Sequence, residues 1–293
     1  MRAVLTRLVR TNNVRGQSTT KIKKSQHGAD KDLEWVGRAT MNKKGDAQPP
    51  TCSRDDGGCT SNTQYIQFSS WGQSVSLHKG SAIMTPMIIT HHGGQCFKVS
   101  FGDTTIAFDP ISKESKKWSA AKFGADVAFI SMKHPDFNGR DQVVHGSRQA
   151  FVVDGPGEYE IGEVTAHGFG VQTIYDGKPH FNTIYQVQLE GINMVFLGAL
   201  NSPDIDPKIL GELGDIDILF TPIGGGDVLE VPQASKLGVK LEARLIIPMH
   251  YDKQSLEAFL KEESSQTVKP QDKLTLKKKD ILGMSGEIVV LSA

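Results

Sequence analysis

Two short segments of the chain carry side chains that could bind a metal ion. His134 and Asp136 lie two residues apart, directly after the apolar run 126–130, and His250 follows the apolar run that begins at Ile246. Imidazole and carboxylate are ligands that Zn²⁺ and Fe²⁺ accept in proteins. A bound zinc ion lowers the pKa of a coordinated water and so supplies hydroxide for hydrolysis. The three side chains are therefore candidate metal ligands, and Asp136 is also the candidate catalytic residue.

Each of these residues also has a purely structural interpretation. His134 could cap a loop, and Asp136 could form an Asx turn with Asn138. His250 could hydrogen-bond a neighbouring carbonyl group. The spacing alone does not decide between the structural and the metal-binding interpretation.

Strands and helices must position these side chains. From Met87 onward, short β-branched and aromatic runs closed by turn residues predict strands, several of them paired in hairpins. They are predicted at 87–90, 96–101, 104–108, 127–131, 150–153, 158–161, 182–189 and 193–197. After Leu197 the pattern alternates, which is typical of βαβ units. Helices are predicted at 207–213, 232–243 and 255–263, and strands at 216–222, 244–248, near 273–276 and near 287–291.

Residues 1–86 differ in composition from the rest of the chain. They contain 13 Lys and Arg against 6 Asp and Glu, whereas residues 87–293 contain 20 against 27. They show no sustained hydrophobic period and are rich in Ser, Thr, Asn, Gly and Lys, which predicts a disordered basic tail. No acidic residue precedes Asp30, so the tail is interpreted either as an upstream extension or as a transit peptide. The first interpretation predicts a cytoplasmic protein and the second an organelle protein.

Charge and hydropathy argue against two classes of partner. The acidic body offers no electrostatic attraction to phosphates, so we expect no nucleic-acid partner. The chain has 38% hydrophobic and 23% charged residues, and no uninterrupted apolar stretch approaches about 20 residues. We therefore expect no membrane partner. A small-molecule substrate remains, and its identity and the oligomeric state stay unknown at this stage.

Residues 87–293 resemble the metallo-β-lactamase superfamily, and in particular its branch of small zinc-dependent hydrolases. The two most specific segments are Asp-Gly-Pro-Gly-Glu-Tyr-Glu at 154–160 and Ile-Pro-Met-His-Tyr at 247–251. Further matching segments, in the same order and spacing, lie at 88–90, 96–99, 108–110, 182–185, 217–219 and 222–225. The resemblance implies an α/β fold, a four-layer αββα sandwich with mostly antiparallel strands.

The family's metal-ligand signature, Thr-His-x-His-x-Asp-His, falls on residues 131–137. His134 and Asp136 match the signature, but Met132 and Phe137 stand at its other two histidine positions. A thioether is a poor ligand for zinc and a phenyl ring is none. Half of the signature is therefore absent.

The later ligands of the family are also incomplete. The bridging carboxylate falls on Ala199, and the mid-chain histidine falls near Tyr175 and Asp176. His250 is the match that remains in this part of the chain. By the resemblance, His134 belongs to one metal ion and Asp136 and His250 belong to the other, so neither ion has a full set.

The sequence therefore predicts a hydrolase-like protein with a degenerate metal centre. It would be a weakly active enzyme or a non-catalytic pseudoenzyme, holding zinc at low occupancy or not at all. The alternative is a mononuclear zinc-dependent hydrolase of an ester, lactone or phosphodiester, with the three candidate ligands converging on one ion. Further ligands would then come from Asp109, Asp176 or His92. The two predictions differ in metal content.

Overall fold

The computed structural model describes residues 85–144, 146–147 and 149–293, together with the backbone of 7–12, 18–23 and 37–40. The chain divides into two units, Met1–Ile83 and Met84–Ala293. In the first unit, strands β1 (Arg7–Asn12), β2 (Ser18–Lys23) and β3 (Gly37–Thr40) form an antiparallel sheet. Most of residues 1–86 lie outside the described residues, so the disordered tail stays a prediction.

Within its described residues, the second unit contains thirteen further strands and four helices. The strands are β4 (Met87–His91), β5 (Phe97–Phe101), β6 (Thr104–Phe108), β7 (Val127–Phe129), β8 (Phe151–Val153), β9 (Gly157–Ile161), β10 (Val164–Tyr175), β11 (Lys178–Leu189), β12 (Ile192–Phe196), β13 (Ile218–Pro222), β14 (Leu245–Met249), β15 (Leu274–Leu276) and β16 (Glu287–Ile288). The helices are α1 (Pro207–Glu212), α2 (Val231–Leu241), α3 (Lys253–Glu262) and α4 (Lys278–Ile281). A 3₁₀ turn covers Arg140–Gln142.

The strands form two mixed sheets. One has the order β15-β4-β5-β6-β7-β8, and the other has the order β16-β14-β13-β12-β11-β10-β9. In the first sheet β6, β7 and β8 are parallel to one another. In the second, β12, β13, β14 and β16 are parallel, as the alternating pattern after Leu197 predicts. Parallel neighbours end at the same edge of a sheet, so this topology gathers several strand exits in one region.

An aromatic core joins the two sheets. Phe108 of the first sheet stacks on Phe196 of the second, with ring centroids 4.8 Å apart. Phe129 of the first sheet packs against Tyr185 of the second with the two rings tilted by 57° and their centroids 5.1 Å apart. All four rings are fully buried. The hydrophobic contribution of this interface is large because each buried aromatic side chain removes some 150 to 250 Å² from water.

The outer faces of the sheets are covered differently. Helices α2 and α3 bury Leu237 and Phe259 in a cluster with Leu219 and Ile246 of the seven-stranded sheet. Among the described residues, loops and the 3₁₀ turn cover the outer face of the six-stranded sheet. Val143, which directly follows this turn, packs in an apolar cluster with Ala107 and Ala128 of the sheet. Two mixed sheets with few helices make this an α/β fold. None of the helices described is long and apolar enough to cross a bilayer.

Candidate metal centre

The two metal-binding segments predicted from the sequence begin at the ends of β7 and β14. β7 runs parallel to β6, so Asp109 and Ser131 follow adjacent strands. Ser131 donates two hydrogen bonds to the Asp109 carboxylate, from its backbone N–H to Oδ1 and from its hydroxyl to Oδ2, both at 2.6 Å. These bonds fix the start of the loop that carries His134 and Asp136.

His134 and Asp136 lie together in a tight turn. The backbone N–H groups of Phe137 and Asn138 both donate to the carbonyl oxygen of His134 at 2.9 Å. The imidazole bends back over the turn, and its Nδ1 accepts a hydrogen bond from the Asp136 N–H at 3.3 Å. The same Nδ1 lies 3.5 Å from Asp136 Oδ2. The two side chains therefore lie close together, and one imidazole nitrogen of His134 is used inside the turn itself.

The Asp136 carboxylate is buried, with 4% of the residue exposed. Its Oδ1 accepts a hydrogen bond from the Ser115 hydroxyl at 2.6 Å. Its Oδ2 accepts one from the Tyr175 hydroxyl at 2.8 Å. Burial, followed by the neighbouring Asp136, raises the pKa of Tyr175, so the phenol stays protonated and acts as a donor. Both oxygens of the candidate catalytic carboxylate are thus engaged by neutral donors.

His250 occupies a strained backbone position at the end of β14. Its φ is +51°, a conformation that residues with a Cβ atom seldom adopt. Its N–H donates to the Gly94 carbonyl at 2.8 Å. A Cβ atom on Gly224 would lie 2.2 Å from the His250 carbonyl oxygen, so the chain passes close there. These contacts hold the imidazole in the interior, where burial, helped by the nearby Lys117, lowers its pKa to about 3.

Both ring nitrogens of His250 have polar neighbours. Lys117 Nζ lies 3.1 Å from Nε2, and the Gln95 amide nitrogen lies 3.0 Å from Nδ1. An ammonium group only donates, so Nε2 accepts and the proton of the neutral ring is on Nδ1. Gln95 Oε1 is buried without a hydrogen-bond partner. Rotating the Gln95 side-chain amide by a half-turn exchanges its oxygen and nitrogen, which have similar sizes. Oε1 then accepts a hydrogen bond from Nδ1–H of His250.

An apolar cluster fills the space between the candidate ligands. It consists of Met132, Phe137, Tyr175, Ala199 and Val228, none of them more than 2% exposed. The Tyr175 ring lies edge-on to the imidazoles of His134 and His250, with centroids 5.0 and 5.9 Å apart. The positions where the resemblance places further metal ligands are therefore packed as hydrophobic core.

The further ligands considered for a mononuclear site lie elsewhere or are engaged. Asp109 is bound by Ser131. His92 stacks on Phe123 at 4.7 Å between centroids and contacts the Thr90 hydroxyl. Asp176 lies in the β10–β11 turn, at positive φ. Across the part of the chain that the structure describes, no three His, Cys, Asp or Glu side chains are grouped so that they could hold a metal ion.

Sequence reasoning missed the residues that contact the candidate ligands. Lys117, Gln95 and Ser115 lie far from His250 and Asp136 in sequence, and their side chains meet them only through the fold. Nothing local distinguishes Lys117 from its neighbour Lys116. From the sequence, Tyr175 is notable only because the resemblance places a family histidine near it. Its hydroxyl could have been expected to find a partner, since buried tyrosines usually do.

The paired mixed sheets and the polar residues at their strand ends place this protein in the class of metallo-β-lactamase folds. A family model described as "Beta-lactamase superfamily domain" matches residues 88–250. The chain belongs to this superfamily, and the fold predicted from the sequence is confirmed.

Three similar proteins specify the branch. A UPF0173 metal-dependent hydrolase of Listeria innocua is 28% identical over 196 residues, which cover 57% of this chain and 86% of the relative. A UPF0173 metal-dependent hydrolase of Geobacillus thermodenitrificans is 26% identical over 198 residues, with coverages of 57% and 86%. A solved Thermotoga maritima structure, described as a Zn-dependent hydrolase of the metallo-β-lactamase superfamily, is 29% identical with a TM-score of 0.55. The matched region covers 70% of this chain and 98% of the Thermotoga maritima chain.

The superfamily implies a metal cofactor, and the donor set among the described residues does not fit one. Asp136 offers two oxygens that both accept hydrogen bonds already. The acceptor nitrogen of His250 faces an ammonium group. A metal site needs several deprotonated ligands with free lone pairs that point at one position. The candidate centre instead consists of satisfied hydrogen bonds around an apolar cluster.

Proposed function

We propose that this protein is a non-catalytic member of the metallo-β-lactamase superfamily, a binding or scaffold protein that has kept the hydrolase fold without its metal chemistry. The relatives are metal-dependent hydrolases by name, so hydrolysis is the function from which this chain departs. The observation that carries the proposal is the hydrogen bonding of the candidate ligands. Nδ1 of His134, both oxygens of Asp136 and Nε2 of His250 already have donors, and Met132, Phe137 and Ala199 add no ligand.

The energetics of the site support the same conclusion. Zinc activates water only when protein ligands fix it in an open coordination position. An ion bound to Asp136 could leave the Ser115 and Tyr175 hydrogen bonds in place, because ligating carboxylates are commonly hydrogen-bonded as well. To reach Nε2 of His250, however, the ion would have to displace the Lys117 ammonium, which also lies 3.8 Å from Asp227 Oδ2. Among the described residues, no three His, Cys, Asp or Glu side chains are grouped to compensate for that displacement.

Metal analysis tests the proposal. The full-length chain, purified without chelator and then incubated with zinc, iron or manganese, is expected to retain well below one ion per chain after dialysis. His134→Ala and His250→Ala variants are expected to give the same content, because neither side chain holds a metal. Hydrolysis of ester and phosphodiester test substrates is expected to be equally slow in all three proteins.

The alternative function would give the opposite pattern. About one tightly held ion per chain, lost in both alanine variants, would establish a mononuclear hydrolase with a shifted site. A hydrolytic rate that falls with the metal content would then identify the substrate class. The folded state of each variant is checked by circular dichroism, so that loss of metal is not confused with loss of structure.

A further inference from the structure

We infer that the Lys117 ammonium is the resident cation of this site: it covers the acceptor nitrogen of His250 and by its charge keeps divalent metal ions out. The inference deepens the proposed function and rests on it, because it names what takes the place of a metal. A lysine in this role is a ligand-blocking residue supplied by the chain itself.

The contact between Lys117 and His250 is direct. Nζ lies 3.1 Å from Nε2, the ring nitrogen that accepts. A coordinate bond to zinc would need the same lone pair. The ammonium and a metal ion therefore compete for one position and exclude each other.

The surroundings of Lys117 suit a cation. Its Nζ lies 3.8 Å from Asp227 Oδ2 and 5.5 Å from the centroid of the Tyr175 ring. The negative face of an aromatic ring and a carboxylate both attract positive charge. Because 45% of the Lys117 side chain is exposed, solvent weakens the ion pair. The short contact to buried His250 is the more specific of the interactions.

The loop before β7 is anchored so that Lys117 reaches the site. The Ser115 hydroxyl accepts hydrogen bonds from the backbone N–H groups of Lys117 and Trp118, at 3.3 and 3.1 Å, and donates to Asp136. A serine hydroxyl with two accepted bonds and one donated bond is saturated. The Trp118 indole lies against Gly94, where a Cβ atom would come within 3.1 Å of the ring. The lysine is therefore held by the same groups that hold the candidate ligands.

Lys117→Met tests the inference, because methionine keeps an apolar stem near the Tyr175 ring and removes the charge. Unit charges about 4 Å apart interact by several kcal/mol at the effective dielectric of a protein surface. In the full-length chain, we expect the variant to bind Co²⁺ at least about tenfold more tightly than the wild type, after discounting for solvent exposure. Cobalt titrations followed by visible absorption and calorimetry measure this difference.

Two controls make the result specific. Lys116→Met removes the neighbouring charge, which has no hydrogen bond or ion pair among the described residues, and should leave cobalt binding at the wild-type level. Adding His250→Ala to Lys117→Met should abolish the gained binding. Equal binding by the wild type and Lys117→Met, or an equal gain in Lys116→Met, would overturn the inference.

A measurement on the wild type covers the case in which the variant does not fold. Nitrogen-15 NMR of the His250 ring should show the proton on Nδ1 and a bare Nε2, as donation from Lys117 requires. A proton on Nε2 would overturn the inference. Tight metal binding by the wild type would contradict the proposed function. If neither the wild type nor Lys117→Met binds metal, the inference alone is contradicted.

Discussion

Gly198→Ala is expected to destabilise the protein by at least about 3 kcal/mol. Gly198 has a φ of +61°, and a Cβ atom there would lie 2.3 Å from Asn182 Oδ1 and 2.7 Å from Ser131 Cβ. Neither neighbour is free to move. Asn182 accepts from the Ala199 N–H and donates to the Leu197 carbonyl, both at 2.9 Å. Displacing it would leave buried polar groups without partners.

Gly214→Ala provides the matched comparison. Gly214 has almost the same φ, +58°, and no atom lies within 4 Å of the position its Cβ would take. It should therefore cost only the backbone strain of a left-handed residue, about 1 to 2 kcal/mol. Urea unfolding of both variants measures the difference. Equal losses of unfolding free energy would show that the close approach at Gly198 contributes nothing.

Asp109→Asn is expected to change how stability depends on pH. Asp109 is fully buried, and burial raises its pKa to about 8 even though Ser131 donates two hydrogen bonds to it. The folded pKa thus lies above the unfolded value of about 3.9. The group contributes stability that is complete below about pH 4 and is lost as the pH rises to about pH 8. Within that window the loss is about 1.4 kcal/mol per pH unit.

The Asp109→Asn variant does not lose unfolding free energy in this way as the pH rises, because the amide does not ionise. Asparagine can accept from the Ser131 N–H and donate to the Ser131 hydroxyl, so it keeps both contacts without a charge. Relative to the wild type, its unfolding free energy should therefore improve by about 4 kcal/mol between about pH 4 and about pH 7. Urea unfolding at several pH values measures the difference. Parallel curves for the two proteins would contradict the prediction.

Asp217→Asn is the control for Asp109→Asn, because it removes a buried carboxylate that does have cationic partners. Asp217 is also buried, at 1% exposure, but it accepts from Arg244 at 3.0 Å and forms an ion pair with Lys278. Removing one member of a buried ion pair costs about 3 to 5 kcal/mol. Within the described residues, no ion pair involves Asp109. The two substitutions separate a buried carboxyl group with cationic partners from one without them.

Much of the framework around the site could be predicted from local sequence. The apolar runs before His134 and His250 indicate buried strands, and β7 and β14 end just before these segments as expected. His134 and Asp136 lie close together, with Nδ1 3.5 Å from Oδ2, but their role as metal ligands stays a prediction. The metal occupancy, the substrate and the catalytic role of Asp136 stay predictions.

The hairpin of β10 and β11 shows where local reasoning fails. The sequence pattern does not predict β10, because Gly168 and Gly170 lower its strand propensity. The structure explains why a glycine stands at position 168, since a Cβ atom there would lie 2.9 Å from the Gly155 carbonyl oxygen. The turn signal was nevertheless present: Asp176 and Gly177 both have positive φ, 51° and 67°, as a type I′ turn requires. An Asp-Gly pair between two β-rich runs would have located the hairpin.

The contacts of Lys117 could not have been predicted in the same way. Lys117 is 133 residues from His250 in sequence, and the two meet through tertiary packing alone. Hydrophobic periodicity places elements, but it does not specify which polar side chain of a loop reaches a strand end. Three-dimensional structure is needed to show that the acceptor nitrogen of His250 is already used.

Under the proposed function, the apolar cluster around Tyr175 also opposes a return to metal binding. Restoring a zinc centre would require polar ligands at several of the positions now held by Met132, Phe137, Tyr175 and Ala199, all fully or nearly buried. Any one of these changes alone would bury a polar group without a partner, at about 1 to 3 kcal/mol. The affinity for metal would appear only after several had accumulated. Each single substitution is therefore expected to lower the stability of the fold before any metal ion can be bound.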